Sequence, residues 1–277
     1  MIIDSHAHIS GPPFNQDYID FTAADGSAIT LPFKRADCSV DCLLQAMDTY
    51  NIDLALVNTF PGAVTNEYLS QVVKDHQKRL IGFAWIDNPL EEAEAVEALE
   101  EAVTVLGFQG LKLHPGVQNF NPADPRLYPL IRKAAELNIP TFIHMFPWPP
   151  GTFHYHKPEH ISVLKKHVSE AIILVGHMGY QHFMDLEVLA WEPGIYIETS
   201  FGLEMITSLY GIKFAEKLLR RIGINKVVFG SDWMGTQDGN IRIETYNLNI
   251  FDKMNLTNEE KEKILGENIR KVLEPQT

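Results

Sequence analysis

Apolar runs of strand length recur along this chain, separated by stretches with helical periodicity. The runs are Met1–Ile3, Asp53–Phe60, Leu80–Asp87, Gly110–His114, Pro140–Met145, Ile172–His177, Ile195–Ser200 and Lys226–Asp232. Most are near-continuous rather than alternating, which marks parallel strands covered on both faces. Helices are predicted in the gaps. Ser39–Tyr50 carries Val40, Leu43, Leu44 and Met47 on one stripe, with Ser39 suited to the N-cap. Asn66–His76 and the Glu- and Ala-rich Leu90–Leu106 follow. Pro125–Leu137 opens with proline at the first helical position, after Asp124. Pro158–Val168, Phe183–Ala190 and Leu203–Arg221 fill the later gaps. Thr257 and Glu260 form a capping-box pattern that opens one or two short helices reaching Leu273.

Eight strands alternating with helices predict an α/β fold, a (β/α)8 TIM barrel forming a single domain over residues 1–277. The rival is a doubly wound open sheet. Its dinucleotide-binding form is disfavoured because no Gly-x-Gly-x-x-Gly follows an early strand. Two loops are long: His8–Asp37, with Gly11, Pro12, Pro13 and Pro32, and Phe146–Lys157, with Trp148, Phe153 and Tyr155. Loops of that length in a compact domain usually serve function or movement. The second is a candidate lid or dimer contact, and its aromatic residues suit a planar or apolar substrate.

Composition narrows the classes. With 277 residues, 45% of them hydrophobic, the chain can bury a sizeable core. Lys plus Arg is 23 against 36 Asp plus Glu, a net charge of −13, which repels phosphate backbones and argues against nucleic acid. Cys38 and Cys42 are one helical turn apart and too few for a disulfide framework, so a reducing compartment is expected. No basic segment leads into an apolar one at the N-terminus, and no run approaches the roughly 20 apolar residues of a membrane span. The expectation is a cytoplasmic protein without a membrane partner. Quaternary state is left open, a homodimer being common among soluble enzymes.

The candidate chemistry falls at strand ends. His6 and His8 follow the first apolar run, and strand alternation turns both to one face. Two imidazoles so placed can grip one metal ion. Lys112 and His114 end the fourth run, His144 the fifth, His177 the sixth and Asp232 the eighth. In an α/β barrel this rim is where active sites are built. Each residue alone has an ordinary reading: a hydrogen-bonded rim histidine, a helix N-cap for Asp232, a salt-bridged lysine. Those readings do not explain why so many land at strand ends and so few within strands. The other histidines, His76, His154, His156, His160, His167 and His182, fall in helices or loops and are given no metal role. Asn58, Trp85, Asp87, Glu198, Thr199 and Ser200 also end strands, and a rim hydrogen bond is the expected role of each. Asp4 is expected to orient the histidine pair through a hydrogen bond.

The ordered set resembles the amidohydrolase superfamily. Asp4-Ser5-His6-Ala7-His8, Gly110-Leu111-Lys112-Leu113-His114-Pro115, Gly176-His177-Met178-Gly179 and Phe229-Gly230-Ser231-Asp232-Trp233 look most like its amidohydrolase-2 branch. That branch includes aminocarboxymuconate-semialdehyde decarboxylase, resorcylate-type decarboxylases and lactone hydrolases. The resemblance runs nearly the whole chain, to Gly266-Glu267-Asn268. It implies one divalent metal held by His6, His8, His144 and Asp232, with zinc expected and manganese also suited to these donors. It further implies His177 as a metal-free acid or base and Asp232 as a proton shuttle. Lys112 would orient a substrate carboxylate, aided by His114. Only a carbamylated Lys112, as in binuclear relatives, would bring a second metal held with His144 and His177.

The activity this implies is metal-dependent hydrolysis of a small-molecule amide, ester or lactone. Non-oxidative decarboxylation of an aromatic or unsaturated acid is the alternative on the same ligands. The chain's length, short for such decarboxylases, leans towards hydrolysis. A barrel that binds metal or ligand without turnover is the third, and the intact ligand set argues against it.

Overall fold

The computed structural model describes residues 1–11, 19–22, 28–31, 36–58, 64–237, 240–241 and 244–274. All eight predicted strands are present in one parallel sheet: Ile3–His8, Leu54–Asn58, Leu80–Trp85, Leu111–Leu113, Thr141–Ile143, Ile173–Val175, Ile195–Glu198 and Val227–Val228. Neighbours in sequence are neighbours in space, as right-handed strand–helix–strand units require. The last strand closes on the first. Ser5 N donates to Phe229 O at 3.0 Å, Asp232 N to His6 O at 2.7 Å and His8 N to Trp233 O at 2.8 Å. The architecture is the single-domain (β/α)8 barrel that the hydrophobic pattern predicts.

Strand alternation sorts the core into two layers. Ile3, Leu56, Ile81, Phe83, Phe142, Leu174 and Val228 fill the barrel lumen, and Ile269 and Val272 of the final helix cover the end where the strands begin. Leu111, Leu113, Ile143, Ile173, Val175, Ile195 and Ile197 face outward onto the helices. The helix Ile212–Ile222 shows the matching pattern, with Ala215, Leu218, Leu219 and Ile222 buried at helical spacing. Each such leucine contributes about 2 kcal/mol of apolar burial. Among the described residues no helix is long and apolar enough to cross a membrane.

The helices follow the sequence with local exceptions. Ser39 caps Val40–Tyr50 by accepting from Cys42 N, and Thr257 and Glu260 form the capping box. Cys38 therefore lies just ahead of the helix rather than on it, and neither cysteine is in a disulfide. The predicted helix Leu203–Arg221 is two helices, Gly202–Tyr210 and Ile212–Ile222. Gly211 separates them with φ 83° and ψ 162°, a conformation other residues reach only with strain. Phe183–Ala190 is α-helical over Leu186–Leu189, with Phe183–Asp185 ahead of it in a 3-10 helix. Glu244–Lys253 is a helix that weak periodicity concealed. The stretch expected as one loop from His8 to Asp37 contains a hairpin of Ile19–Thr22 with Ala28–Leu31. It also contains the short strand Ala36–Asp37, paired with Thr236–Gln237. Pro12, Pro13 and Pro32 of that loop, and Thr59 and Phe60 of the second predicted strand, lie outside the described residues.

Candidate active site

The predicted site residues gather where the strands end. The first strand runs through His8, one turn of the pleat further than the apolar run alone implies, and both histidines project into the mouth. His6 Nε2 lies 3.1 Å from His8 Nε2, and each lies 3.1 Å from Asp232 Oδ1. Their second ring nitrogens are already engaged. His8 Nδ1 sits 3.0 Å from the Asn58 carbonyl, which only an N–H can satisfy, so His8 Nε2 carries a lone pair. His6 Nδ1 lies 3.3 Å from Ser200 Oγ and 3.4 Å from Glu198 Oε2. Two imidazole lone pairs and a carboxylate oxygen thus converge in a buried space, a donor set that a divalent cation fits.

Asp232 reaches this position through an unusual backbone. Its φ is 55°, in the left-handed region, and its N–H is held by His6 O. Asp4 supports that turn rather than the imidazoles. Its carboxylate accepts from His6 N at 3.0 Å, from Ser231 N at 2.9 Å and from the Ser231 hydroxyl. His177, Met178 and Tyr180 after the sixth strand and Phe201 after the seventh are also left-handed. Such strain in bulky residues persists only where surrounding bonds over-determine it, and here it clusters at the mouth.

His177 stands beside the metal-competent trio. Its N–H donates to Glu198 Oε2 at 3.0 Å, its Nδ1 is 2.9 Å from Ser200 Oγ, and its Nε2 is 2.9 Å from His144 Nδ1. Burial lowers its pKa to about 4, so the ring is neutral at pH 7 and able to accept a proton. Lys112 Nζ is 3.0 Å from His6 Nε2 and 3.9 Å above the Phe142 ring. Burial brings its pKa down to about 7, against the pull of Asp232 and Glu198. This cation borders the trio and titrates near neutrality.

Two predicted residues lie further out. His144 does not join His6, His8 and Asp232, whose donor atoms all lie within 4.8 Å of one another. Instead it stacks on His114, ring centroids 3.7 Å apart, and its Nε2 is buried without a partner. His114 is tied to its own loop, donating its N–H to Gln118 Oε1 and accepting from Val117 N at Nδ1. Burial depresses the pKa of both rings, so both are neutral.

Four residues given lesser roles by the sequence take central positions. Glu198 and Ser200 brace His6 and His177 from behind. Burial raises the Glu198 pKa to about 7. Gly230 makes room for this carboxylate, which a Cβ there would strike. The signal was available: Tyr196 packs against the lumen, so alternation turns Glu198 inward. Asn58 faces the lumen by the same alternation from Leu56, and both heteroatoms of its buried carboxamide lack a partner. His156, on the aromatic loop, is buried against His114 and His144, with Nδ1 bonded to Thr152 O and Nε2 unpartnered. Trp85 and Asp87 keep the ordinary reading, bonded to each other at 3.0 Å. Of the loop's aromatics, Trp148 approaches His114, whereas Phe153 is half exposed beside His182 and Tyr155 bonds Asn119. Phe146, Tyr180 and Phe201 form the apolar wall next to His177.

Comparison with known proteins places this geometry. The sequence profile of the amidohydrolase family matches residues 3–274. A 2-amino-3-carboxymuconate-6-semialdehyde decarboxylase of Dictyostelium discoideum is 24% identical over 123 residues, 39% of this chain. The matched stretch spans 33% of that relative's length. Among solved structures, a protein of Pseudomonas putida assigned as 2-pyrone-4,6-dicarboxylic acid hydrolase superposes with a TM-score of 0.71 at 18% identity, covering 100% of this chain and 98% of that one. A dihydroxybenzoic acid decarboxylase from a Polaromonas species, with bound manganese and the inhibitor 2-nitroresorcinol, superposes with a TM-score of 0.70 at 16% identity, covering 98% and 96%. At these identities the structural likeness shows the shared barrel. The profile match across nearly the whole length shows more: this chain belongs to the amidohydrolase family.

Proposed function

We propose that the chain is a metal-dependent hydrolase of a small-molecule amide, ester or lactone. The observation that carries this reading is the convergence of three lone-pair donors, His6 Nε2, His8 Nε2 and Asp232 Oδ1, beside a neutral His177. These three residues would hold one divalent ion; His144, the fourth donor implied by the resemblance, stands outside this set, stacked on His114. Zinc is the ion expected, and the manganese in the Polaromonas structure supports manganese as a substitute. When bound, such an ion would acidify a water to a pKa of roughly 7 and polarise a substrate oxygen.

The chain's own groups do the rest. His177 serves as the acid or base beside the trio, and Asp232 offers its second oxygen as a relay. Lys112 is a cation for a substrate carboxylate, and His114 supports it from the same strand end, two residues on. Phe146, Tyr180, Phe201 and Trp148 exclude water from one side and suit a planar substrate. The net charge of −13 disfavours nucleic acid as a partner.

Non-oxidative decarboxylation of an aromatic or unsaturated acid is the second reading, favoured by the two relatives that are decarboxylases. The test is metal-reconstituted protein assayed against lactones, amides and aromatic carboxylic acids, with carbon dioxide scored separately. Lactone or amide turnover without carbon dioxide is the expected result. Carbon dioxide release with no hydrolysis would overturn the hydrolase in favour of the lyase.

A further inference from the structure

Glu198 lies at the end of the seventh strand, fully buried, and every donor around it points inward. Its Oε2 accepts the His177 N–H at 3.0 Å, and its Oε1 accepts the Ser200 N–H. Backbone donors cannot reverse, so the carboxylate presents itself to Ser200 as an acceptor. With Glu198 ionised, the Ser200 hydroxyl, 2.9 Å from Oε2, donates its single proton there. Its lone pairs then face His177 Nδ1 at 2.9 Å and His6 Nδ1 at 3.3 Å. A neutral imidazole has one N–H. If that N–H is at Nδ1 in both rings, both Nε2 atoms are bare.

From these contacts we infer that the Glu198–Ser200 pair sets the tautomers of two active-site histidines at once. It holds His6 and His177 as Nδ1–H forms, so that His6 turns a lone pair to His8 and Asp232 while His177 turns one to His144. The direction then passes one step further. His177 Nε2 accepts from His144 Nδ1 at 2.9 Å, which leaves His144 Nε2 bare as well. That agrees with the buried, partnerless state of this nitrogen, since a buried N–H without an acceptor would be costly. The two rings lie 5.1 Å apart, so one hydroxyl reaches both. Glu198 and Ser200 are thus positioning residues: they touch no substrate and act through the histidines.

Nitrogen NMR of the full chain labelled with 15N-histidine reads the tautomers directly, in the metal-free and the zinc-loaded protein. The expected result is Nδ1–H for His177 in both forms of the parent protein, and for His6 in the zinc-loaded form, because without metal Asp232 Oδ1 at 3.1 Å offers His6 Nε2 an acceptor. In Ser200→Ala, His177 becomes a tautomer mixture, and in Ser200→Thr the Nδ1–H form returns. An Nε2–H His177 in the parent protein would overturn the inference without any variant, as would an unchanged tautomer in Ser200→Ala. The kinetic consequence rests on the role proposed above for His177. At saturating metal, Ser200→Ala is expected to lower kcat about 10- to 100-fold with KM held, and Ser200→Thr to restore it. A switched tautomer with unchanged kcat would leave the pairing standing and overturn the proposed role of His177 instead.

Discussion

Ser231 donates both its backbone N–H and its hydroxyl to the carboxylate of Asp4, joining residues 227 positions apart across the seam where the last strand meets the first. The same carboxylate holds the N–H of His6. One buried side chain therefore fixes the approach of Asp232 to the histidine pair. Asp4→Ala removes the acceptor of three buried donors. It is expected to cost about 3 kcal/mol of stability, read as a lower urea midpoint. It should also weaken metal binding about 10- to 100-fold, read by competition with a chelator. Unchanged metal affinity would mean that Asp232 is held by other means.

Metal content separates the mononuclear from the binuclear reading. One tightly held divalent ion per chain is expected, with and without bicarbonate. His6→Ala and Asp232→Asn are each expected to weaken it by at least the 10- to 100-fold that loss of an outer partner costs. Two ions per chain that appear only with bicarbonate, and vanish in Lys112→Met, would show a carbamylated lysine.

Asn58 should trade stability against binding. Its carboxamide is buried with both ends unpaired, each end costing about 1–3 kcal/mol. Asn58→Leu is expected to leave the melting temperature equal or higher. Once a substrate is known, KM is expected to rise about tenfold or more, because a lost pairing of about 1.4 kcal/mol is a factor of ten. A destabilised variant with normal KM would give Asn58 a structural role.

His156 gives a pH dependence with a defined sign. Burial lowers its pKa to about 4 in the folded chain, against 6.5 for an unperturbed histidine. Below pH 6.5 the unfolded chain takes up the proton first, so stability is lost as pH falls from about 6.5 towards 4, at up to about 1.4 kcal/mol per pH unit. His156→Phe should remove that slope. Urea unfolding of metal-free protein at pH 4.5 and pH 7 checks it: the parent loses more than the variant on acidification. Parallel losses would show that this ring is not buried in its neutral form.

The barrel itself was legible because it rests on local pattern. Near-continuous apolar runs mark strands covered on both faces, and eight of them in alternation with helices leave few other folds. Departures came where a single residue overrides periodicity. Gly211 breaks a helix whose apolar stripe continues on both sides, and Glu244–Lys253 has too weak a stripe to be seen. Strand ends were equally legible, so His6, His8, Lys112, His177 and Asp232 were placed in the mouth from spacing alone.

What the sequence by itself determined is therefore the fold and which residues stand at its strand ends, since alternation and strand order are properties of short segments. Only the tertiary structure decided the pairings within it. Glu198 in Ile-Tyr-Ile-Glu-Thr-Ser looks like any polar strand end. It becomes the support of two histidines because His6 and His177 come from strands far away in sequence. His144 stands outside the trio because it stacks on His114, and Asn58 and His156 acquire meaning only from the partners they lack. Which ring nitrogen carries a proton depends on hydrogen bonds between residues tens to hundreds of positions apart, and no local pattern of apolar and polar residues encodes those contacts.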